Sequence, residues 1–566
     1  MPTITVHRED VERLLGGPFT PEGFEAQLEL VKGELDDFDP ATGEVRVELN
    51  DTNRPDLWCV EGIARQVRTH RDGKAPHYPF LAGVGEAAHE LHVDPSVADV
   101  RPYVGACIAR GVTVDERLLT QLIQTQEKIC DVYGQKRRGI ALGLYAADKL
   151  TFPLHYAAVA PGECAFVPLG MEEPLTLQEI TELHPKGQRY GPIVAGFGRW
   201  PVLTDDAGTV LSFPPVINSR TVGEVQVGDR ELFLEVTGAD LRMVALVVNL
   251  MAANLADRGA RIEPVRVVYP EATCFGDRVV MPRPLDHVLS VPVAEFARAL
   301  GVDLVADEIA QALTAYGYDA APEDGAVRVT VPGYRDDVLH PVDVIEDFAI
   351  SRGYDCFEPQ MPTDATVGGL TTTERLSDRA REILVGLGFQ EVLSNILVAR
   401  EELTDFMALP GANLVTVANP MAATYCVLRN AVLPSLLKVE RESGKAFYPH
   451  ALFEAGEVAA FDADAPMGSV TRTHLAALLA HPEANFSELA ARLEMFLYDL
   501  RLEHHLEPVD HASYIPGRAG RIIVDGWGVG IIGEVAPEVL EHWGITVPCA
   551  AFEVELSQLV RQLTGG

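Results

Sequence analysis

A chain of 566 residues is too long to fold around one hydrophobic core, so three or four domains are expected. A hydrophobic share of 47% suits ordered globular domains rather than disorder. The most apolar run, MVALVVNLMAANLA from Met243, is broken by Asn249 and Asn254. It is too short to span a bilayer and reads as a buried helix. The first residues, MPTITVHREDVERLL, are acidic early and lack a long apolar stretch, unlike a signal peptide. Eight cysteines stand singly with no CxxC pair. They fit reduced thiols in a cytoplasmic protein and offer neither a zinc knuckle nor a disulfide framework. The expectation is a soluble, cytoplasmic protein with no membrane partner.

Local signals divide the chain. Residues 1–90 read as an α+β domain and linker. Thr20 caps a helix with Pro21 in its first turn, GEVRVELN alternates as a strand, and RDGKAPHYPFLAGVGEAAHE is the linker. Residues 91–265 mix strands (YVGACIARGVTV, FLEVTG) with long helices, again α+β. Residues 268–350 hold two short helices ending near glycine and the strand AVRVTVP. Residues 355–566 begin with a Thr-capped helix and end as strand, glycine turn, strand, helix and strand.

Candidate chemistry is sparse. The formal net charge of −37 argues against general polyanion binding, though a local basic stripe such as QKRRG at 135–139 remains a phosphate-contact candidate. The acidity also suits solubility at raised salt. There is no GxSxG, no Walker A and no GxGxxG after a strand. GVGIIGE (528–534) reads as a tight turn between strands, and LEHHLEPVDH (502–511) as a polar helix end with scattered histidines. In LSFPPVINSRT two prolines fix an extended backbone before Asn218 and Ser219. FLEVTG puts Glu235 and Thr237 on one face of an apolar strand, which needs a partner or a ligand. VPGYRDDVLHPVDVIEDFAI carries five carboxylates in twelve residues. On a helix from Pro341, Asp343, Glu346 and Asp347 share a face, with Asp337 in the preceding turn. Such a cluster suits a hard cation, or merely favours the helix dipole.

Nine segments in collinear order resemble the phenylalanyl-tRNA synthetase β-subunit family, most closely its archaeal form. They are NDTNRPDLWCVEGIARQVR, RRGIALGLYAADKL, LHPKGQRYG, FPPVINS, LEVTGAD, VPGYRDDVLHPVDVIED, NPMAATYCVLRNAVLPSLL, ALFEAGEV and IIGEVAPEVLEHWGI. The resemblance implies a multidomain α/β and α+β protein. Residues 91–265 would be a B3/B4-like tRNA-editing domain and residues 268–350 a B5-like domain. Residues 355–566 would be a class II synthetase-like antiparallel-sheet core without catalytic motifs. It implies an (αβ)₂ heterotetramer joining phenylalanine to tRNA(Phe), with ATP used at the α subunit. Consistent with this, no glycine-rich ATP signature ending in arginine accompanies Arg429, which is expected to pair structurally.

The resemblance further places an editing pocket for Tyr-tRNA(Phe) on Leu203, Ser212, Glu235 and Thr237, orienting the ester while a water attacks. Glu235 stands where the family carries Asp. It also implies a Mg²⁺ site shared with the α subunit on Asp337, Asp343, Glu346 and Asp347, the last replacing a frequent Glu. Bacterial members are expected to be longer, with an oligonucleotide-binding fold and an anticodon-binding module that nothing here resembles, so β-mediated tRNA contact is expected from elsewhere. A freestanding aminoacyl-tRNA hydrolase and a non-catalytic scaffold remain alternative readings.

Overall fold

A computed structural model of the chain describes residues 2–82 and 86–564, the side chains of 561–564 excepted. It divides into two compact units, residues 1–360 and 361–566. Among the described residues no helix is long and apolar enough to cross a membrane.

The first unit begins with three antiparallel strands, Thr3–His7, Glu44–Leu49 and Gly33–Asp39, the second of these in the middle. Their apolar face packs on the helices Arg8–Leu15, Pro21–Leu28 and Val60–Asp72 around the fully buried Trp58. The Pro21 helix starts as its residues dictate, with Thr20 Oγ1 accepting from Gly23 N at 3.2 Å.

A ten-stranded sheet follows. Towards one edge its strands run in the order Arg261–Thr273, Tyr103–Arg110, Glu231–Gly238 and Ile140–Ala146, the last at the edge itself. Trp200–Asp205, Val210–Phe213 and Ile217–Asn218 extend its other end. The apolar run expected as a buried helix is Leu241–Asp257, enclosed in the core of this sheet. Its two asparagines are satisfied by neighbouring segments. Asn249 Nδ2 donates to the carbonyls of Arg283 and Gly333 at 2.8 Å each, and Asn254 Oδ1 accepts from Arg65 Nη2 at 2.5 Å. The division expected at 265 falls inside the strand Arg261–Thr273, which pairs onward with Gly276–Met281. The sheet needs that continuation because it covers the helix.

The unit closes with three antiparallel strands, His287–Pro292, Ala326–Val331 and Asp319–Glu323, packed on three helices of which Pro341–Arg352 is the last.

The second unit is a seven-stranded sheet, antiparallel except where Gln390–Glu391 pairs with His450–Phe461. Helices Thr372–Gly386 and Phe486–Asp499 pack on one apolar cluster, and Leu433–Glu442 and Pro537–Trp543 on another. Two local expectations are corrected here. Residues 504–508 form the edge strand His504–Pro508 instead of a helix end, because Tyr514–Val524 supplies its ladder. The glycines of 528–534 lie within the strand Trp527–Val535, and the turn is Asp525-Gly526, both at positive φ (49° and 80°). Gly530 is needed for close approach, since a Cβ there would lie 2.1 Å from the Glu553 carbonyl oxygen.

Candidate functional site

A cavity of about 470 Å³ opens in the ten-stranded sheet, lined in part by Gly143, Ser212, Asn218 and Glu235. Strand periodicity positions the acid. Glu235 lies opposite Gly143 on one neighbouring strand and Ala106 on the other, and Thr237 follows two residues later on the same face. Both are buried, as are Leu203 and Ser212, which pair across their own hairpin. Glu235 and Ser212 reach the cavity wall. Leu203 and Thr237 support it from behind, in the apolar core and through Arg101 respectively.

The carboxylate of Glu235 meets a neighbour that sequence reading gave no role. The buried Tyr145 hydroxyl donates to Glu235 Oε2 at 2.7 Å. Gly143 makes this contact possible, because a Cβ there would sit 2.3 Å from the Tyr145 hydroxyl and 2.5 Å from Glu235 Oε2. The buried Arg101 was also missed. Its Nε donates to Thr237 Oγ1 at 2.9 Å and its Nη2 to the Thr237 carbonyl at 2.7 Å. Burial pushes the Glu235 carboxyl up to about 7, against the opposing pull of Tyr145, Arg101 and Thr237. Ser212 Oγ is buried and has no hydrogen-bond partner. The cavity therefore offers a carboxyl poised near neutrality and a free hydroxyl, a pair suited to a ligand that carries its own hydroxyl group.

The four acids of residues 337–347 do not converge. Arg335 donates through Nε to Asp337 Oδ1 at 3.0 Å, and through Nη2 to Asp337 Oδ2 at 2.5 Å and Asp347 Oδ2 at 2.7 Å. Asp347 Oδ2 also accepts from the Tyr318 hydroxyl at 2.5 Å, and Arg54 Nε stands 3.7 Å from Asp337. Burial acts to raise the Asp337 carboxyl, but the guanidiniums of Arg335 and Arg54 hold it down at about 2. At Asp347 burial prevails and the carboxyl is raised. Asp343 closes a capping box, with Oδ2 accepting from Leu339 N and His340 N at 2.8 Å each. Glu346 pairs with Lys32 at 2.8 Å. Among the described residues no group of three or more His, Cys, Asp or Glu is arranged to hold a metal ion. The donor set does not fit the Mg²⁺ site expected on Asp337, Asp343, Glu346 and Asp347, because guanidiniums, an ammonium and backbone amides already engage those oxygens.

In the second unit Arg429 is fully buried and paired with Glu454 at 2.8 Å. Its Nε donates to the Glu457 carbonyl and its Nη1 to Ser394 Oγ. These bonds make it a strut of the sheet.

Two family models match this chain, "tRNA synthetase B5 domain" over residues 289–354 and "Phenylalanyl tRNA synthetase beta chain CLM domain" over residues 358–556. The chain is 38% identical to the phenylalanine–tRNA ligase β subunit of Borrelia garinii subsp. bavariensis, over 99% of this chain and 100% of the relative. It is 37% identical to that of Borrelia turicatae, over 99% and 100%. These relatives are bacterial yet align along their whole length, so the extra modules expected of bacterial members do not extend to them. Among solved structures, an N-terminal fragment of the phenylalanyl-tRNA synthetase β subunit from Pyrococcus horikoshii is similar at 36% identity and a TM-score of 0.59, covering 62% of this chain and 100% of the fragment. The chain belongs to the phenylalanine–tRNA ligase β-subunit family.

Proposed function

We propose that this chain is the β subunit of a cytoplasmic (αβ)₂ phenylalanine–tRNA ligase of the archaeal type. The α subunit carries the aminoacylation site, where ATP and its Mg²⁺ act on phenylalanine and tRNA(Phe). The β chain contributes assembly, and hydrolytic editing of Tyr-tRNA(Phe) at the cavity of Glu235, Ser212, Thr237 and Leu203. The domain division follows the same reading, with an N-terminal domain, an editing domain ending near Met281, a B5-like domain and a synthetase-like core.

The observation that carries the editing reading is a buried carboxyl and an unpartnered hydroxyl facing one cavity. A pocket shaped for phenylalanine rejects tyrosine weakly, whereas a site built to bond the phenol discriminates strongly because its polar groups stay unpaired with the wrong ligand. Glu235 as carboxylate accepts the substrate hydroxyl, and Tyr145 and Gly143 set its position. The extra methylene relative to Asp is taken up by the space above Gly143. The similarity to the Pyrococcus fragment supports the archaeal type. The Mg²⁺ of the reaction is assigned to ATP at the α subunit and not to the acids near Arg335.

Co-expression with the α subunit from the same cell tests the assembly half. A stable complex that aminoacylates tRNA(Phe), while neither chain does so alone, is expected. A β chain that stays monomeric beside a competent α subunit would overturn it.

A further inference from the structure

The second unit has a cavity of its own, about 550 Å³, bordered by Leu433 and Pro434 at the start of helix Leu433–Glu442. Strand register builds its floor. Glu454, Ala476, Glu553, Ile531 and Arg521 stand opposite one another in turn across five strands, so they share one face of the sheet. At the closed end Glu454 is buried against Arg429. Towards the open end Ile531 is partly buried and Arg521 exposed, and Gly528 leaves room for the Arg521 stem, whose Cδ would lie 3.0 Å from a Cβ there.

Three groups on this wall have bonding capacity that the protein leaves unused. Glu553 itself is satisfied. Its Oε1 accepts from His474 Nδ1 at 2.6 Å and Val432 N at 3.0 Å, and its Oε2 from Leu433 N at 2.9 Å. Burial acts to raise this carboxyl, but those donors hold it below its usual range. The carboxylate therefore keeps a proton on His474 Nδ1, and the other ring nitrogen has no partner among the described residues. Tyr514 is 3% exposed and lines the cavity. Its ring lies over Gly533, where a Cβ would sit 2.6 Å from Cδ1. Its hydroxyl bonds to nothing among the described residues, a cost that a ligand group would remove. Burial and then the nearby Glu553 carboxylate raise its titration, so it is a neutral donor. Arg521 has no carboxylate partner among the described residues, whereas Glu555, on the same wall, is taken by Arg472 at 3.0 Å. His511, also on the wall, is kept neutral by burial and accepts from Ser513 N.

The free groups stand at opposite ends. Arg521 and Glu553 lie two strands apart, about 10 Å, with the apolar Ile531 between them. The Arg521 end suits a carboxylate. At the other end a hydroxyl can accept from Tyr514 and donate to the open nitrogen of His474, which an ammonium or a methyl group cannot do together. We propose that this cavity is a ligand site of the second unit for a small, elongated hydroxy acid. The carboxylate sits on Arg521, the apolar middle on Ile531, and the hydroxyl between Tyr514 and His474. The site is independent of the editing cavity, which is built from the other unit.

The test titrates the αβ complex with 6-hydroxyhexanoate, 6-hydroxyhexanamide and hexanoate in a calorimeter. Wild type is expected to bind the hydroxy acid with a Kd of about 1 mM. The amide should bind about tenfold more weakly and hexanoate about fivefold more weakly. Arg521→Met should make acid and amide equal, and Tyr514→Phe should make hydroxy acid and hexanoate equal, with aminoacylation by the complex unchanged in both. Equal affinity of wild type for acid and amide, or no binding at all, would overturn the proposal. So would an acid preference that survives Arg521→Met or a hydroxyl preference that survives Tyr514→Phe. Glu235→Gln should bind the hydroxy acid as wild type does; loss of binding there would put the probe in the first unit and overturn the site. Arg521→Met, at an exposed position, keeps the test valid if Tyr514→Phe does not fold.

Discussion

Glu235 is a carboxyl whose proton is bound more tightly in the folded chain than in the unfolded one. Its ordinary value is 4.5 and its folded value is about 7. Between those values the folded state holds a proton that the unfolded state has lost, so stability falls as pH rises through the window. The loss is on the order of 3 kcal/mol, complete above pH 7 and absent below pH 4.5. Denaturation of wild type and Glu235→Gln at pH 4.5 and pH 8 checks this, with the variant expected to escape the decline. Tyr145 favours the charged form by donating to it. Tyr145→Phe should therefore move the rising limb of the hydrolysis–pH profile to higher pH, with Arg101 and Thr237 still in place; an unmoved profile would remove Tyr145 from the site. Near Arg335 the sign is reversed. Asp337 is held at about 2, below its ordinary 3.8, so its contribution is present above pH 3.8 and lost as pH falls through 2. Arg335→Met strands Asp337 and Asp347 in a buried setting and should cost about 3–5 kcal/mol in denaturant unfolding.

The helix Pro341–Arg352 shows what sequence spacing conveys and what it omits. Its start was legible from Pro341 and the acids of its first turns, and spacing correctly put Asp343, Glu346 and Asp347 on a helix. The partners that decide what those acids do lie elsewhere, on Lys32 and Arg54 more than 280 residues away in sequence and on Arg335 just before the helix. Asp343→Ala should cost about 1 kcal/mol, the loss of a cap, and the cost should be the same in Mg²⁺ and in a chelator. A metal-dependent difference in melting would contradict the account of this cluster. The placement of Glu235 and Thr237 was legible for the same local reason: a period of two puts them on one face of a strand. Ser212 and Tyr145 join them through the order of strands in a ten-stranded sheet, and Arg101 through the loop before Tyr103–Arg110, neither of which a local pattern encodes. For the edge strand His504–Pro508, pairing with Tyr514–Val524, and not periodicity, sets its state.

At the scale of the whole molecule, the chain reads as two units whose junction is the exposed stretch 358–370, which has no regular structure. Limited proteolysis should cut there first, and first cuts inside either sheet would contradict the division. Collinear motifs made the family legible, and local turn signals put the limit of the large sheet too early because they do not report strand pairing. The account assigns the large sheet a single chemical task that depends on one buried carboxyl. The most direct measurement is deacylation of Tyr-tRNA(Phe) and Phe-tRNA(Phe) by the αβ complex, wild type against Glu235→Gln and Thr237→Val. Wild type should hydrolyse the tyrosyl ester at least a hundredfold faster than the phenylalanyl ester, and Glu235→Gln should erase most of that preference. Equal rates on the two esters, or a preference untouched by either substitution, would contradict it.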